Sequence, residues 1–273
     1  MSKELVLLAI HGMGDTQENF ADDFQEKLAD RLGDSKWDNI LFDTIFYQSV
    51  LQPHQDRVMK AMRRTEIDWI RLRKFLLFGF SDAAGLERRA ASQGSPYEKV
   101  QQIIRTALKK AFNFIGESKP VVLVAHSLGG QVISNYIWDA QQNSATRGVW
   151  KNPTTQRGTP VDDFLRCKQL KFFYTTGCNI PIFVAGFPEL DIRAIDTSTN
   201  GYAFRWKNFY DEDDALGWPL KPLSTSYRSA VFRDKEVNVG NVARSWNPLS
   251  HNGYWTDSDV LKPLARDIRA LLP

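Results

Sequence analysis

The run Val121-Val122-Leu123-Val124-Ala125-His126-Ser127-Leu128-Gly129-Gly130 decides the fold. Residues 121–125 are a continuous apolar stretch, which suits a central parallel strand covered on both faces. Leu128, Val132, Ile133, Tyr136 and Ile137 then recur at helical spacing. A strand therefore runs almost directly into a helix, and the sharp turn between them exposes the residue at its tip. Such a turn tolerates only small residues two places to either side, and Ala125 and Gly129 stand there. A serine hydroxyl is a poor nucleophile until its oxygen is exposed and a base adjoins it. Ser127 is thus the candidate nucleophile. The N–H of Leu128, at the positive end of the following helix, is a candidate donor to a developing oxyanion.

Working outward, Leu5-Val6-Leu7-Leu8-Ala9-Ile10 is a second apolar run that ends at a glycine-containing turn. Phe20, Phe24, Leu28 and Leu32 predict a helix over residues 18–32, with Asp15 or Thr16 as its cap. Strands are predicted over 40–47, 170–175, 206–210 and 230–232. An amphipathic helix is predicted over 258–271, with Pro263 in about its first turn, where proline is tolerated. Strands alternating with helices imply an α/β fold with a mainly parallel sheet. Residues 48–96 and 143–166 break that rhythm and read as insertions on one domain spanning 1–273.

The chain has 273 residues, enough for one large core and too few to demand two. Its 42% hydrophobic and 25% charged residues are ordinary for a globular protein. A net charge of +3 is too mild to argue for nucleic acid as a partner. Cys167 and Cys178 do not make a disulfide framework and read as free thiols. No His/Cys cluster has zinc spacing, so neither a metal nor a cofactor is expected. Met1-Ser2-Lys3-Glu4 leads into a strand without the pattern of an export signal, and no apolar run has membrane-spanning length. The expected location is cytoplasmic.

The Ser127 turn resembles that of the α/β-hydrolase superfamily, and Ala-His-Ser-x-Gly-Gly is similar to the elbow of several bacterial lipases and esterases. His11-Gly12-Met13-Gly14 resembles the His-Gly-x segment that lipases place after an early strand. That resemblance implies that Met13 N–H joins Leu128 N–H in an oxyanion hole, with His11 shaping the loop. It also implies that the family's usual first two strands are absent, leaving a compact sheet of about six strands. The family order is serine, acid, histidine. Of His11, His54, His126 and His251, only His251 satisfies it. His251 lies in Ser250-His251-Asn252-Gly253-Tyr254-Trp255, after the last strand, where the family carries its base. The His126 side chain is expected to point away from Ser127.

The acid is expected in Asp211-Glu212-Asp213-Asp214, after the strand ending at Tyr210. Spacing does not choose among Asp211, Asp213 and Asp214, and Asp234 is a further candidate. The run from Asn208 to Leu220 resembles the acid turn of lipases and DDHD phospholipases, in which the aspartate precedes a small and then an aliphatic residue. Asp214, before Ala215-Leu216, is the match that this implies.

The resemblance implies carboxylic ester hydrolysis through an acyl-Ser127 intermediate, with Asp214 and His251 completing a triad. The substrate would be a small-molecule or lipid ester. A thioesterase or acyltransferase would use the same acyl-enzyme, and a non-catalytic binding protein of hydrolase fold or a peripheral membrane protein is the alternative of another class. Residues 55–80 interleave Arg57, Lys60, Arg63, Arg64, Arg71, Arg73 and Lys74 with Trp69, Ile70, Leu72 and Phe75 to Phe78. They read as a cap over Ser127, as a hairpin packed on the core, or as a helix that touches an anionic membrane surface.

Overall fold

The computed structural model describes residues 3–62, 70–87, 91–239 and 250–273. Its strands are β1 (Leu5–Ile10), β2 (Ile40–Ile45), β3 (Val121–His126), β4 (Leu170–Thr176), β5 (Arg205–Tyr210) and β6 (Val231–Glu236). They form one sheet in the order β2-β1-β3-β4-β5-β6, and every pairing is parallel. The helices are α1 (Asp22–Leu32), α2 (Asp34–Trp37), α3 (Gln48–Met62), α4 (Ile70–Glu87) and α5 (Pro96–Ile115), then α6 (Leu128–Gln141), α7 (Pro160–Leu165), α8 (Ile180–Val184), α9 (Thr225–Ala230) and α10 (Ser258–Arg269). Among the described residues, none of these is long and apolar enough to cross a membrane.

The apolar runs at residues 5–10 and 121–125 are β1 and β3, both buried at every position. Side chains alternate across a strand, so each strand feeds two cores. Val6, Leu8 and Ile10, with Leu123 and Ala125, pack against α5 and α6. Leu5, Leu7 and Ala9, with Val122 and Val124, pack against α1 and α10. Helices on both faces leave the carboxyl ends of the strands as the edge at which loops can gather.

Several local expectations need correction. α1 begins at Asp22, and its cap, Ala21, makes no side-chain bond. Neither Asp15 nor Thr16 caps it; Asp15 is drawn instead to Gln52 and Lys74. β2 ends at Ile45, because Tyr47 turns its N–H to His11. β6 starts at Val231, since Ala230 closes α9. Pro263 is well inside α10, beyond its first turn. It has no N–H for the Asp259 carbonyl one turn earlier. That carbonyl accepts from Lys235 Nζ at 3.0 Å, so a side chain from β6 repairs the gap.

The stretch 143–166 is not all loop: it holds a 3-10 turn at Gly148–Trp150, then α7, capped by Thr159. The stretch 48–96 supplies α3, α4 and the start of α5. Arg63, Arg64 and Trp69 lie outside the described residues, as do the side chains of Ile70, Arg71, Leu72 and Phe75. On α4, Phe78 is buried while Leu76 and Phe80 are exposed. Both cysteines are free and buried, and burial pushes each thiol up to about 12.

α10 is fastened to the sheet by a buried ion pair. Asp267 accepts from Lys207 Nζ and from the Tyr174 hydroxyl, and the Lys207 ammonium lies over the Phe172 ring at 5.1 Å. Removing the acid leaves a buried cation without its partner. Asp267→Ala is therefore expected to lower stability by roughly 3–5 kcal/mol, read from urea denaturation. A loss below about 1 kcal/mol, the range of exposed pairs, would mean that water reaches Lys207.

Candidate active site

β3 ends at His126, and Ser127 N–H closes the ladder by donating to the Thr176 carbonyl at 2.9 Å. Ser127 itself has φ 52° and ψ −124°, a conformation that a side chain rarely adopts. Such a backbone costs of order 1–3 kcal/mol and persists only where its surroundings enforce it. Here they do. A Cβ on Gly129 would stand 2.4 Å from the His11 carbonyl oxygen, so only glycine fits the second small position of the turn. Ala125, at the first, is fully buried. The turn delivers Ser127 to the head of α6.

The loop leaving β1 meets this turn. A Cβ on Gly12 would lie 2.6 Å from Ser127 Cβ, so the bare backbone of Gly12 abuts the serine. The Gly12 carbonyl accepts from His11 Nδ1 at 2.7 Å and from the Tyr47 hydroxyl at 3.0 Å. His11 Nε2 accepts the Tyr47 N–H at 3.0 Å, which makes Nδ1 the protonated nitrogen. Burial pushes the His11 pKa down to about 4, partly offset by the bond to Gly12, so the ring is neutral at pH 7. It stacks on Tyr47 with centroids 4.1 Å apart. His11 and Tyr47 thus anchor the Gly12 carbonyl. Across a trans peptide the N–H points the opposite way, so Met13 N–H is turned from those anchors.

On the other side, His251 lies in a 3-10 segment, Ser250–Trp255, after β6. Its Nδ1 is 2.7 Å from Asp214 Oδ2. Asp214 also accepts from Leu216 N–H at 3.0 Å and from the Tyr254 hydroxyl at 2.9 Å. Burial opposes the charge on Asp214. The hydrogen bond and charge of His251, with the Leu216 and Tyr254 donors, outweigh burial and hold the carboxyl below its ordinary value.

The other acids are committed elsewhere. Asp211 accepts the N–H groups of Asp213 at 2.9 Å and Val239 at 2.6 Å, Asp213 is exposed, and Asp234 accepts from Leu220, Lys221 and Asn208. The structure therefore brings Asp214 to His251, and none of the other candidate acids. Ser127 Oγ and His251 Nε2 are both buried, and neither has a hydrogen-bond partner among the described residues. No hydrogen bond therefore joins Ser127 Oγ to His251 Nε2; bonds between catalytic groups commonly tighten only when substrate arrives.

Sequence reasoning missed Tyr254 and Asn179, and it gave His126 no contact with the base. Tyr254, three residues after the base, bridges Asp214 to the Asp211 N–H, which donates to its hydroxyl at 2.8 Å. The His126 ring packs on His251 with centroids 4.5 Å apart, and its Nδ1 is 3.1 Å from the Thr176 carbonyl and hydroxyl oxygens. Buried Asn179 joins Met13, Leu76, Phe80, Ile182 and Phe183 around a small cavity of about 40 Å³ beside the β1 loop. Two of these carried a signal in the chain: Tyr254 is close to His251, and His126 adjoins Ser127. His54 is exposed on α3, away from this group.

A parallel sheet of this order has a serine turn after β3, an acid after β5 and a histidine after β6, and it is the α/β-hydrolase fold. No family model and no curated protein matches the sequence. Among solved structures, the chain resembles a protein of Xanthomonas campestris pv. campestris assigned to the alpha/beta superfamily of hydrolases. That match has 12% identity over 98% of this chain and 100% of the other, with TM-score 0.43. It also resembles the RedJ thioesterase of the prodiginine pathway in Streptomyces coelicolor, at 12% identity over 97% and 86% of the two chains, with TM-score 0.42. Phospholipase PlaB from Legionella pneumophila matches at 12% identity over 78% of this chain and 40% of its own, with TM-score 0.30. The fold class follows from the strand order and from the turn at Ser127.

Because the folded Asp214 has a pKa below its unfolded value, its contribution to stability is present above the unfolded pKa, about 4, and fades as pH falls through the folded one. Urea titrations of wild type and Asp214→Asn should differ most near neutrality and converge below about pH 4. A gap that persists or widens in acid would contradict the bonding described for Asp214.

Proposed function

We propose that the protein is a serine hydrolase that cleaves a carboxylic ester through an acyl-Ser127 intermediate. The observation that carries this reading is the 2.7 Å bond between His251 Nδ1 and Asp214 Oδ2, with the His251 ring packed on His126, the residue before a serine held in a strained turn. With Nδ1 donating to the carboxylate, Nε2 is the lone-pair nitrogen and can take a proton.

In the first half-reaction His251 Nε2 accepts the Ser127 Oγ proton as Oγ bonds to the ester carbonyl carbon. The carbonyl oxygen becomes an oxyanion, which receives the N–H groups of Met13 and Leu128. Met13 serves because the Gly12 carbonyl is anchored on its far side, and Leu128 because it opens α6. Collapse of the intermediate breaks the bond to the alkoxy oxygen, which takes the proton from His251 and leaves as an alcohol. Water then repeats the sequence: His251 takes its proton, its oxygen attacks the acyl carbon, and Ser127 Oγ leaves with the proton returned to it. Asp214 stays ionised throughout and stabilises the imidazolium.

The cavity beside Met13 supports an apolar acyl group, since Leu76, Phe80, Ile182 and Phe183 are its walls. It adjoins the loop that carries the proposed oxyanion donor, which is where an acyl chain would extend.

A fluorophosphonate probe should label wild type on Ser127, and Ser127→Ala should not react. Asp214→Asn should lower kcat for a chromogenic ester by about 10⁴-fold, because the histidine then loses its orienting acceptor. Equal labelling of wild type and Ser127→Ala would refute the proposal.

A further inference from the structure

The loop that carries Met13 is held by the segment inserted between β2 and α5. Three consecutive residues are gripped there. The Met13 side chain lies against α4 at Gly79, where a Cβ would come within 2.8 Å of Sδ. Gly14 N–H donates to Asp82 Oδ2 at 3.0 Å. Asp15 accepts from Gln52 Nε2 at 3.0 Å and pairs with Lys74.

The middle contact has a supporting chain. Gln48 Nε2 donates to Gln55 Oε1 at 3.3 Å, and Gln55 Nε2 donates in turn to Asp82 Oδ1. All three side chains are buried. The relay therefore runs from α3 through α4 to the backbone of the β1 loop. A buried carboxylate is a costly way to join two helices, and burial pushes Asp82 up to about 6 against the pull of Gly14, Gln55 and Gln48. Among the described residues, the hydrogen bond that this acid makes outside its own segment is the one to Gly14.

We propose that Asp82 is a positioning residue for ester hydrolysis: it holds Gly14 and so fixes the Met13 peptide, which makes the α3–α4 segment a working part of the oxyanion hole. This rests on the serine-hydrolase reading above. The Met13 N–H is defined by two peptides, Gly12–Met13 and Met13–Gly14. His11 and Tyr47 anchor the first through the Gly12 carbonyl. Asp82 anchors the second through the Gly14 N–H. With both fixed, the dihedrals of Met13 have little freedom, and its N–H direction is set before substrate binds. Without Asp82, a buried N–H must find another acceptor, and the loop turns to supply one. Oxyanion donors act only on the tetrahedral state, so the loss falls on kcat and spares KM.

The test compares Asp82→Ala and Asp82→Asn in the full-length protein, with fluorophosphonate labelling of wild type as the check on the underlying reading. Asp82→Ala should lower kcat by about 10- to 100-fold with KM within about twofold, as for a misplaced catalytic donor. Asp82→Asn keeps an acceptor for Gly14 and should recover most of that loss. Wild-type kcat in a folded Asp82→Ala, a loss confined to KM, or an asparagine variant no better than alanine would overturn the proposal. If Asp82→Ala does not fold, Gln52→Ala combined with Lys74→Ala carries the test, because both side chains sit at the surface end of the same grip. That pair should lower kcat several-fold at unchanged KM, and wild-type kcat would overturn the proposal. Absence of Ser127 labelling in wild type would instead defeat the hydrolase reading itself.

Discussion

A Cβ on Gly129 would meet the His11 carbonyl at 2.4 Å, and one on Gly12 would meet Ser127 Cβ at 2.6 Å. Two backbones touch here with no side chain between them, and the arrangement of the site follows from that contact. It arises because β1 and β3 are parallel neighbours with Ile10 opposite Ala125, so both strands end at the same level. From β1 the chain goes outward to β2 on one side, then crosses back to β3 on the other. The carboxyl ends of strands at such a reversal leave a crevice, the usual place for a ligand in an open α/β sheet. The loop after β1 and the turn after β3 fill its walls. Neither can move without the other, which is how the sheet enforces the unfavourable backbone of Ser127.

The remaining groups come from farther along the same edge. β5 delivers Asp214 and the chain after β6 delivers His251, and Tyr254 ties the two loops together by hydrogen bonds at both ends of its hydroxyl environment. A histidine ring from the nucleophile turn, His126, packs against His251 and so links base and elbow by contact. Networks of this kind are effective only when well satisfied, since an unpaired group in a low-dielectric interior is costly. Ser127 Oγ and His251 Nε2, the atoms that would act on a substrate in the proposed chemistry, are among the buried atoms left without a hydrogen-bond partner among the described residues.

Much of this was legible in the sequence because it is written in local pattern. Continuous apolar runs marked β1 and β3, small residues marked the Ser127 turn, and chain order left His251. Asp214 was distinguished from Asp211 and Asp213 by resemblance, not by spacing; in space, Asp211 turns to Val239 and Asp213 to solvent. What stayed hidden depends on partners distant in the chain. Asp15 has the local pattern of a helix cap, but Gln52 and Lys74, distant in the chain, claim it. Pro263 looked suited only to a first turn, because Lys235, which answers the orphaned Asp259 carbonyl, lies 24 residues before that carbonyl. Asp82 lies in a segment without clear periodicity, and nothing local links it to Gly14.

The covalent intermediate is the centre of the proposed chemistry and can be observed directly. Rapid-quench mass spectrometry during turnover of an activated ester should show one acyl group on the peptide that contains Ser127, formed at least as fast as the alcohol is released. Alcohol release with no acyl adduct on Ser127, or with the adduct on another residue, would contradict it.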